Sequence, residues 1–161
     1  MVLKDHDRKG LTMGMDVFGN NPTSEVGSCF RHTCGAWHPL AEYVCKVAPE
    51  ITSRCTYWQS NDGDGLSDDD SRGLAEILQR EIDSGRTEAY ARLRRSELQL
   101  MPNERCEICN GTGDPDKNGI VCSECNGKGH HRPWATEYVF RTRNVQRFAS
   151  FLRACGGFEI W

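Results

Sequence analysis

The chain has 161 residues, of which 37% are hydrophobic and 27% charged, with a formal net charge of −3. That length fits one domain of ordinary size, and the low apolar content leaves a modest core that a metal clip would help to stabilise. No apolar run approaches the roughly 20 residues of a membrane helix, and no apolar stretch follows the charged start as in a signal peptide, so the expectation is a cytoplasmic protein with no membrane partner.

Residues 1–14 are polar and aperiodic and include Asp5-His6-Asp7-Arg8-Lys9, so they are expected to form a mobile leader, with Met15 as an alternative start. Residues 15–161 are expected to form a single α+β domain. The Gly-Asn-Asn-Pro-Thr string ending at Thr23 reads as loop, and Leu40, Tyr43, Val44 and Val47 predict a short helix over 39–47. Asn61-Asp62-Gly63-Asp64-Gly65 reads as a turn that delivers Tyr57 and Trp58 to the core.

Ser67, followed by three aspartates, is a capping-box-like helix start, and Leu74, Ile77, Leu78 and Ile82 recur at helical spacing until Ser84-Gly85. A second helix is expected over 87–100, with Ala89, Tyr90, Leu93 and Leu100 on one side, before Pro102 ends it. The two form a helical hairpin. Further on, the alternation from Trp134 to Thr142 predicts a strand. Asn144 is the expected N-cap of a last helix carrying Val145, Phe148, Ala149, Leu152 and Cys155, stopped by Gly156-Gly157, and Phe158 to Trp161 is expected to pack as a short strand.

Between these helical parts lie two copies of one phrase, Cys106-Glu107-Ile108-Cys109-Asn110-Gly111-Thr112-Gly113 and Cys122-Ser123-Glu124-Cys125-Asn126-Gly127-Lys128-Gly129. A Cys-x-x-Cys turn aims two sulfurs at one point, so two such turns complete the tetrahedral shell that zinc prefers. The glycines follow each second cysteine at a fixed offset, where positive φ is needed, and Asn118-Gly119 is a hairpin signal. The expectation is one structural zinc on Cys106, Cys109, Cys122 and Cys125, held in a β-hairpin over 104–131. A thioredoxin-like redox pair would require a βαβ setting that these flanks do not offer.

Residues 106–129 resemble the cysteine-rich zinc finger of DnaJ-type chaperones, in which CxxCxGxG repeats pair to bind zinc. A DnaJ protein carries four repeats, two zincs and a J-domain with His-Pro-Asp; this chain has two repeats and no His-Pro-Asp. The resemblance therefore implies a zinc-binding fold and not co-chaperone activity. Elsewhere Met15-Asp16-Val17-Phe18-Gly19, the stretch from Tyr57 to Leu66, and Cys155-Gly156-Gly157-Phe158-Glu159-Ile160-Trp161 look like a family of small bacterial and bacteriophage proteins, which supplies a setting and no activity.

Other candidates lie outside the repeats. The nine cysteines read as ligands and buried thiols of a reducing compartment, and Cys29, Cys34, His38 with Cys45 or Cys55 could supply a second metal site, although none forms a CxxC turn. A thiol paired with His32 or His38 would require a spatial arrangement that sequence neighbours do not establish. Asp62 and Asp64 form a candidate cation loop that lacks the first acidic ligand and the closing glutamate of an EF-hand. Residues 126–161 carry six basic side chains against Glu137 and Glu159, whereas 60–104 carry eleven acids against six arginines. Arg132, Trp134, Arg141, Arg143 and Arg147 are thus candidate contacts for nucleic acid or another partner.

The leading expectation is a non-enzymatic protein-binding protein, accessory or inhibitor-like, with zinc holding its surface. The alternatives are a nucleic-acid-binding module using the basic aromatic region and a metal-dependent hydrolase at Asp62 and Asp64 with His32 or His38. Oligomeric state leaves no mark in the sequence.

Overall fold

A computed structural model describes residues 14–161; the expected leader falls outside these except for Gly14, which begins a strand. The protein is α+β. Its described residues fall into two compact units, the first running up to Ala91 and resuming over Phe140–Trp161, the second comprising Arg92–Val139.

In the first unit, β1 (Gly14–Gly19), β2 (Cys29–Thr33), β3 (Asp64–Leu66) and β6 (Phe158–Ile160) form an antiparallel sheet in the order β2-β1-β6-β3. The expected C-terminal strand is therefore present and central. Alternation places Met15, Val17, Phe30, Leu66, Phe158 and Ile160 inside, while Asp16, Arg31 and Glu159 point outward. The inner face packs against α1 (Cys34–Val47), α3 (Asp68–Asp83) and α5 (Thr142–Ala154), and a short turn of helix, α2 (Pro49–Thr52), leads into the loop before β3.

Phe148 lies at the centre of an aromatic cluster, with ring centroids 5.0 Å from Phe30, 5.7 Å from Trp37 and 6.1 Å from Phe158. Both buried indoles find acceptors, Trp37 Nε1 donating to the Trp58 carbonyl and Trp58 Nε1 to that of Thr52. A second group joins Tyr43, Tyr90 and Phe140. The Tyr43 hydroxyl and Thr87 Oγ1 lie 2.9 Å apart.

The cap of α3 forms as its sequence suggests, with Ser67 Oγ accepting from the Asp70 N–H. Leu74 and Leu78 are wholly buried, and Ile77 and Ile82 pack at the margin. Five other expectations are corrected. Helix α1 begins at Cys34, five residues before Pro39, which sits inside it; proline suits a first turn, but here extended Thr33 already starts the helix. Helix α5 is capped by Arg141, and Asn144 is buried within its first turn, its N–H bonded to the Arg141 carbonyl.

No strand spans Trp134 to Thr142. Trp134–Glu137 is a 3-10 turn in which the Thr136 N–H and hydroxyl both bond to the Pro133 carbonyl, so local partners satisfy backbone groups that a strand would have to pair. On α4 (Arg86–Leu100) the buried stripe is Thr87, Ala91 and Leu98, whereas Leu93 and Leu100 are exposed. Of the aromatic pair at 57–58, Trp58 reaches the core and Tyr57 does not.

Asp64 closes the loop before β3, its carboxylate accepting N–H groups from Thr56 (2.5 Å), Tyr57 (3.1 Å) and Gly65 (2.8 Å). Burial opposes the charge, but these donors outweigh it and hold the carboxyl below its usual value. A depressed folded pKa means that the stabilisation is complete above the unfolded value of about 4 and disappears as pH falls through the folded one. Asp64→Asn is expected to cost about 1 kcal/mol near pH 7, allowing for the partial exposure of the group. Urea midpoints of both proteins at falling pH check this, and a gap that persists undiminished into strong acid would refute it.

Candidate metal centre

The second unit contains the Cys-Gly repeats. Its two short strands, β4 (Glu104–Arg105) and β5 (His130–His131), pair antiparallel and join the ends of the segment 104–131. Between them the two repeats form knuckles related by an approximate two-fold, because the hydrogen bonds of one recur sixteen residues on in the other. Gly111 N–H bonds to Cys106 O and Gly127 N–H to Cys122 O; Thr112 N–H bonds to Cys109 O and Lys128 N–H to Cys125 O. Across the axis, Cys106 N–H reaches Gly129 O and Cys122 N–H reaches Gly113 O.

The backbone turns under the sulfurs through left-handed residues at matching places: Asn110, Gly111 and Gly113 in one knuckle, Asn126, Gly127 and Gly129 in the other. At Gly113 and Gly129 a side chain is excluded twice over. Their φ values are +81° and +75°, and an added Cβ would lie 2.3 Å from the carbonyl oxygen of Gly127 or Gly111. The knuckles therefore interlock backbone against backbone, which requires glycine at these offsets.

All four sulfurs converge. Cys106, Cys109, Cys122 and Cys125 are each at most 3% exposed, and their sulfur atoms lie within 4.8 Å of one another. Cys106 to Cys122 is 3.8 Å and Cys109 to Cys125 is 3.7 Å. A tetrahedral site with metal–sulfur bonds of about 2.3 Å has edges of about 3.8 Å, so the donor set fits a single metal ion.

The N–H groups of Gly113 and Gly129 each approach a sulfur at 3.2 Å, Cys109 and Cys125 respectively, and would offset thiolate charge. Around Cys109 burial resists ionisation, but the Gly113 N–H and the neighbouring thiols overcome it and bring its pKa down to about 6. The neighbouring Cys106 thiol is pushed the other way, up to about 11, so the set does not ionise as one. Four protein ligands leave no open position for water or substrate, so the centre can hold a metal and does not offer it for catalysis.

The remaining candidates do not converge on one place. Arg132 belongs to the second unit, where its guanidinium donates to the carbonyls of Leu98 (2.5 Å) and Met101 (2.6 Å) and closes the C-terminal end of α4. Nothing in the sequence marks this role, because the partners are more than thirty residues away. Trp134, in the same unit, is 70% exposed. Arg141, Arg143 and Arg147 belong to the first unit and are exposed, while Phe140 between the two groups is core.

Asp62 accepts from Ser60 Oγ, and Asp64 is engaged with the backbone as described. His38 meets Gln59, and the His32 imidazole lies 3.5 Å from the Arg147 guanidinium. Cys34 and Cys45 stand at opposite ends of α1, eleven residues or about 16 Å apart along the axis, too far to share a metal. Burial, with the Asp64 charge beside it, pushes the Cys55 thiol up to about 12. Among the described residues, the four cysteines of the repeats are the only group of three or more histidine, cysteine or acidic side chains close enough to hold a metal ion. No described helix is long and apolar enough to cross a membrane. No protein-family model, curated protein or solved structure matches this chain, so its likeness to a known zinc finger rests on residues 106–129 alone.

Proposed function

We propose that the metal is a single structural zinc and that the protein acts without catalysis, by binding another protein through the surface that the zinc holds. Tetrahedral four-sulfur donation selects zinc or an iron–sulfur cluster, and two short CxxC knuckles with sulfur separations near 3.8 Å suit a mononuclear ion. The observation that carries the binding role is what the hairpin leaves uncovered. Ile108, Ile120, Val121 and Trp134 are 63%, 63%, 64% and 70% exposed.

Large apolar side chains kept in water by a rigid scaffold favour contact with a partner. Ile108 and Trp134 line one groove of about 800 Å³ together with Glu104, Glu107 and Glu124. Free thiols throughout suit the reducing cytoplasm, and the likeness to bacterial and phage proteins suggests an accessory or inhibitor-like role there. The hydrolase reading gains no support, since the Asp64 oxygens are already taken by backbone N–H groups.

Affinity capture from a bacterial lysate on the immobilised zinc-loaded protein tests this. A bound protein should be lost with Cys106→Ser/Cys109→Ser, which removes the scaffold, and equally with Ile108→Ser/Trp134→Ala, which leaves the cysteines intact. A partner retained by the second variant would place the contact elsewhere and overturn the reading.

A further inference from the structure

We propose that the exposed face of α5 and the groove beside it bind single-stranded nucleic acid, with arginines on phosphates and a base in the groove. These residues belong to the first unit, and the inference does not depend on the role given to the zinc hairpin. Helix α5, Thr-Arg-Asn-Val-Gln-Arg-Phe-Ala-Ser-Phe-Leu-Arg-Ala, contains no acidic residue. Its apolar stripe is buried, which turns Arg143, Gln146, Arg147, Ser150 and Arg153 to solvent. Arg141 adds a further exposed cation at the cap.

Charge pairing separates this face from the other described arginines of the first unit, all of which except Arg80 are ion-paired. Arg31, Arg54, Arg72 and Arg86 each meet a carboxylate, of Asp16, Asp70, Asp68 and Glu81 respectively. Among the described residues, Arg141, Arg143 and Arg147 meet none, and Arg153 bonds to the amide of Gln79. Arg147 is instead set over the Phe30 ring, 5.6 Å from its centroid, with the His32 imidazole 3.5 Å from its guanidinium. Three uncompensated guanidinium groups on a protein of net charge −3 form a local feature that bulk charge does not explain.

The groove adds what separates a nucleic acid from an acidic peptide. It measures about 420 Å³, with Val26, Phe30 and Phe151 as its apolar lining and Gln146, Arg147 and Ser150 along its edge. A flat, apolar-faced base with polar edges matches that combination, and the phosphates on either side of it would meet Arg143 and Arg147, about 6 Å apart along the helix. Only an unpaired base can leave its stack to enter, so the strand must be single.

Fluorescence anisotropy of the zinc-loaded full chain with a labelled oligothymidine of about 20 nucleotides, and with the same strand in duplex, tests the proposal at low salt. Wild type should prefer the single strand, with a slope of log affinity against log salt of about −2 for three neutralised phosphates. Arg143→Glu/Arg147→Glu should weaken binding at least about tenfold and flatten the slope to about −0.7. Ser150→Trp, which fills the groove, should remove the preference over duplex, and Arg92→Glu/Arg95→Glu on α4 should bind as wild type. Absence of binding by wild type, equal loss in the α4 variant, or full competition by polyglutamate would each overturn the assignment.

Discussion

Removing the metal with a strong chelator is expected to unfold residues 92–139 and to leave the four-stranded sheet standing. The first unit has its own apolar core, drawn from residues 15–91 and 140–160. In the second unit the only buried hydrophobic cluster is the four cysteines. A segment of that size without a core cannot offset the entropy of its ordered backbone, so a bound metal would contribute the folding energy directly, about 10–16 kcal/mol in small zinc modules. Amide hydrogen exchange is the measurement. Protection at Cys106, Gly111, Cys122 and Gly127, whose N–H groups bond within the knuckles, should vanish with chelation, while Asp16 and Trp161, bonded to each other across the sheet, stay protected. Protection surviving in the knuckles would mean that they fold without metal. Cys106→Ser/Cys109→Ser should reproduce the chelated state.

Gly113→Ala and Gly129→Ala should each weaken metal affinity by two orders of magnitude or more, and by similar amounts. Each places a methyl 2.3 Å from a carbonyl oxygen of the opposite knuckle at a residue of positive φ. Left-handed strain of about 1–2 kcal/mol and overpacking of about 1–3 kcal/mol add, and every 1.4 kcal/mol is a factor of about ten. Gly119→Ala is the informative control. It shares the positive φ but has no atom within 4 Å of the added carbon, so only the strain remains and a loss of about tenfold is expected. Competition against a chromogenic chelator gives all three affinities. Unequal losses at Gly113 and Gly129 would contradict the two-fold relation of the knuckles, and a Gly119 variant as weak as the others would remove backbone contact as the cause.

The four-cysteine cluster was legible in the sequence because coordination chemistry dictates residue type and spacing together, and the interlocked carbonyls dictate glycine. Helices α3 and α5 were legible because their buried residues are large and periodic. Elsewhere the decisive partners are distant. The strand β3 is Asp-Gly-Leu, with little strand propensity of its own, and exists because β6 lies against it. The buried stripe of α4 includes Thr87, whose hydroxyl meets Tyr43, and a reading led by large apolar residues chose Leu93 and Leu100 instead. Trp134 to Thr142 alternates like a strand, but Pro133 and its accepting carbonyl curl its first residues into a 3-10 turn. The exposed basic residues were visible as a composition bias; that Arg132 is committed to the end of α4, while Arg141, Arg143 and Arg147 meet no carboxylate among the described residues, depends on neighbours distant in sequence.

The pairing of β4 with β5, and the grip of Arg132 on Leu98 and Met101, bring the two ends of the second unit together. For the first unit, that unit is an intervening stretch whose closure is already settled once its metal is bound. Without metal, the same stretch becomes a flexible loop of several dozen residues that must be closed before α5 and the central strand β6 can join β1 and β3. Loop-closure entropy rises only slowly with length, so the added cost is about 2 kcal/mol. A sheet that survives chelation should therefore do so at reduced stability and assemble more slowly, with a bound metal acting on a part of the protein that it does not touch.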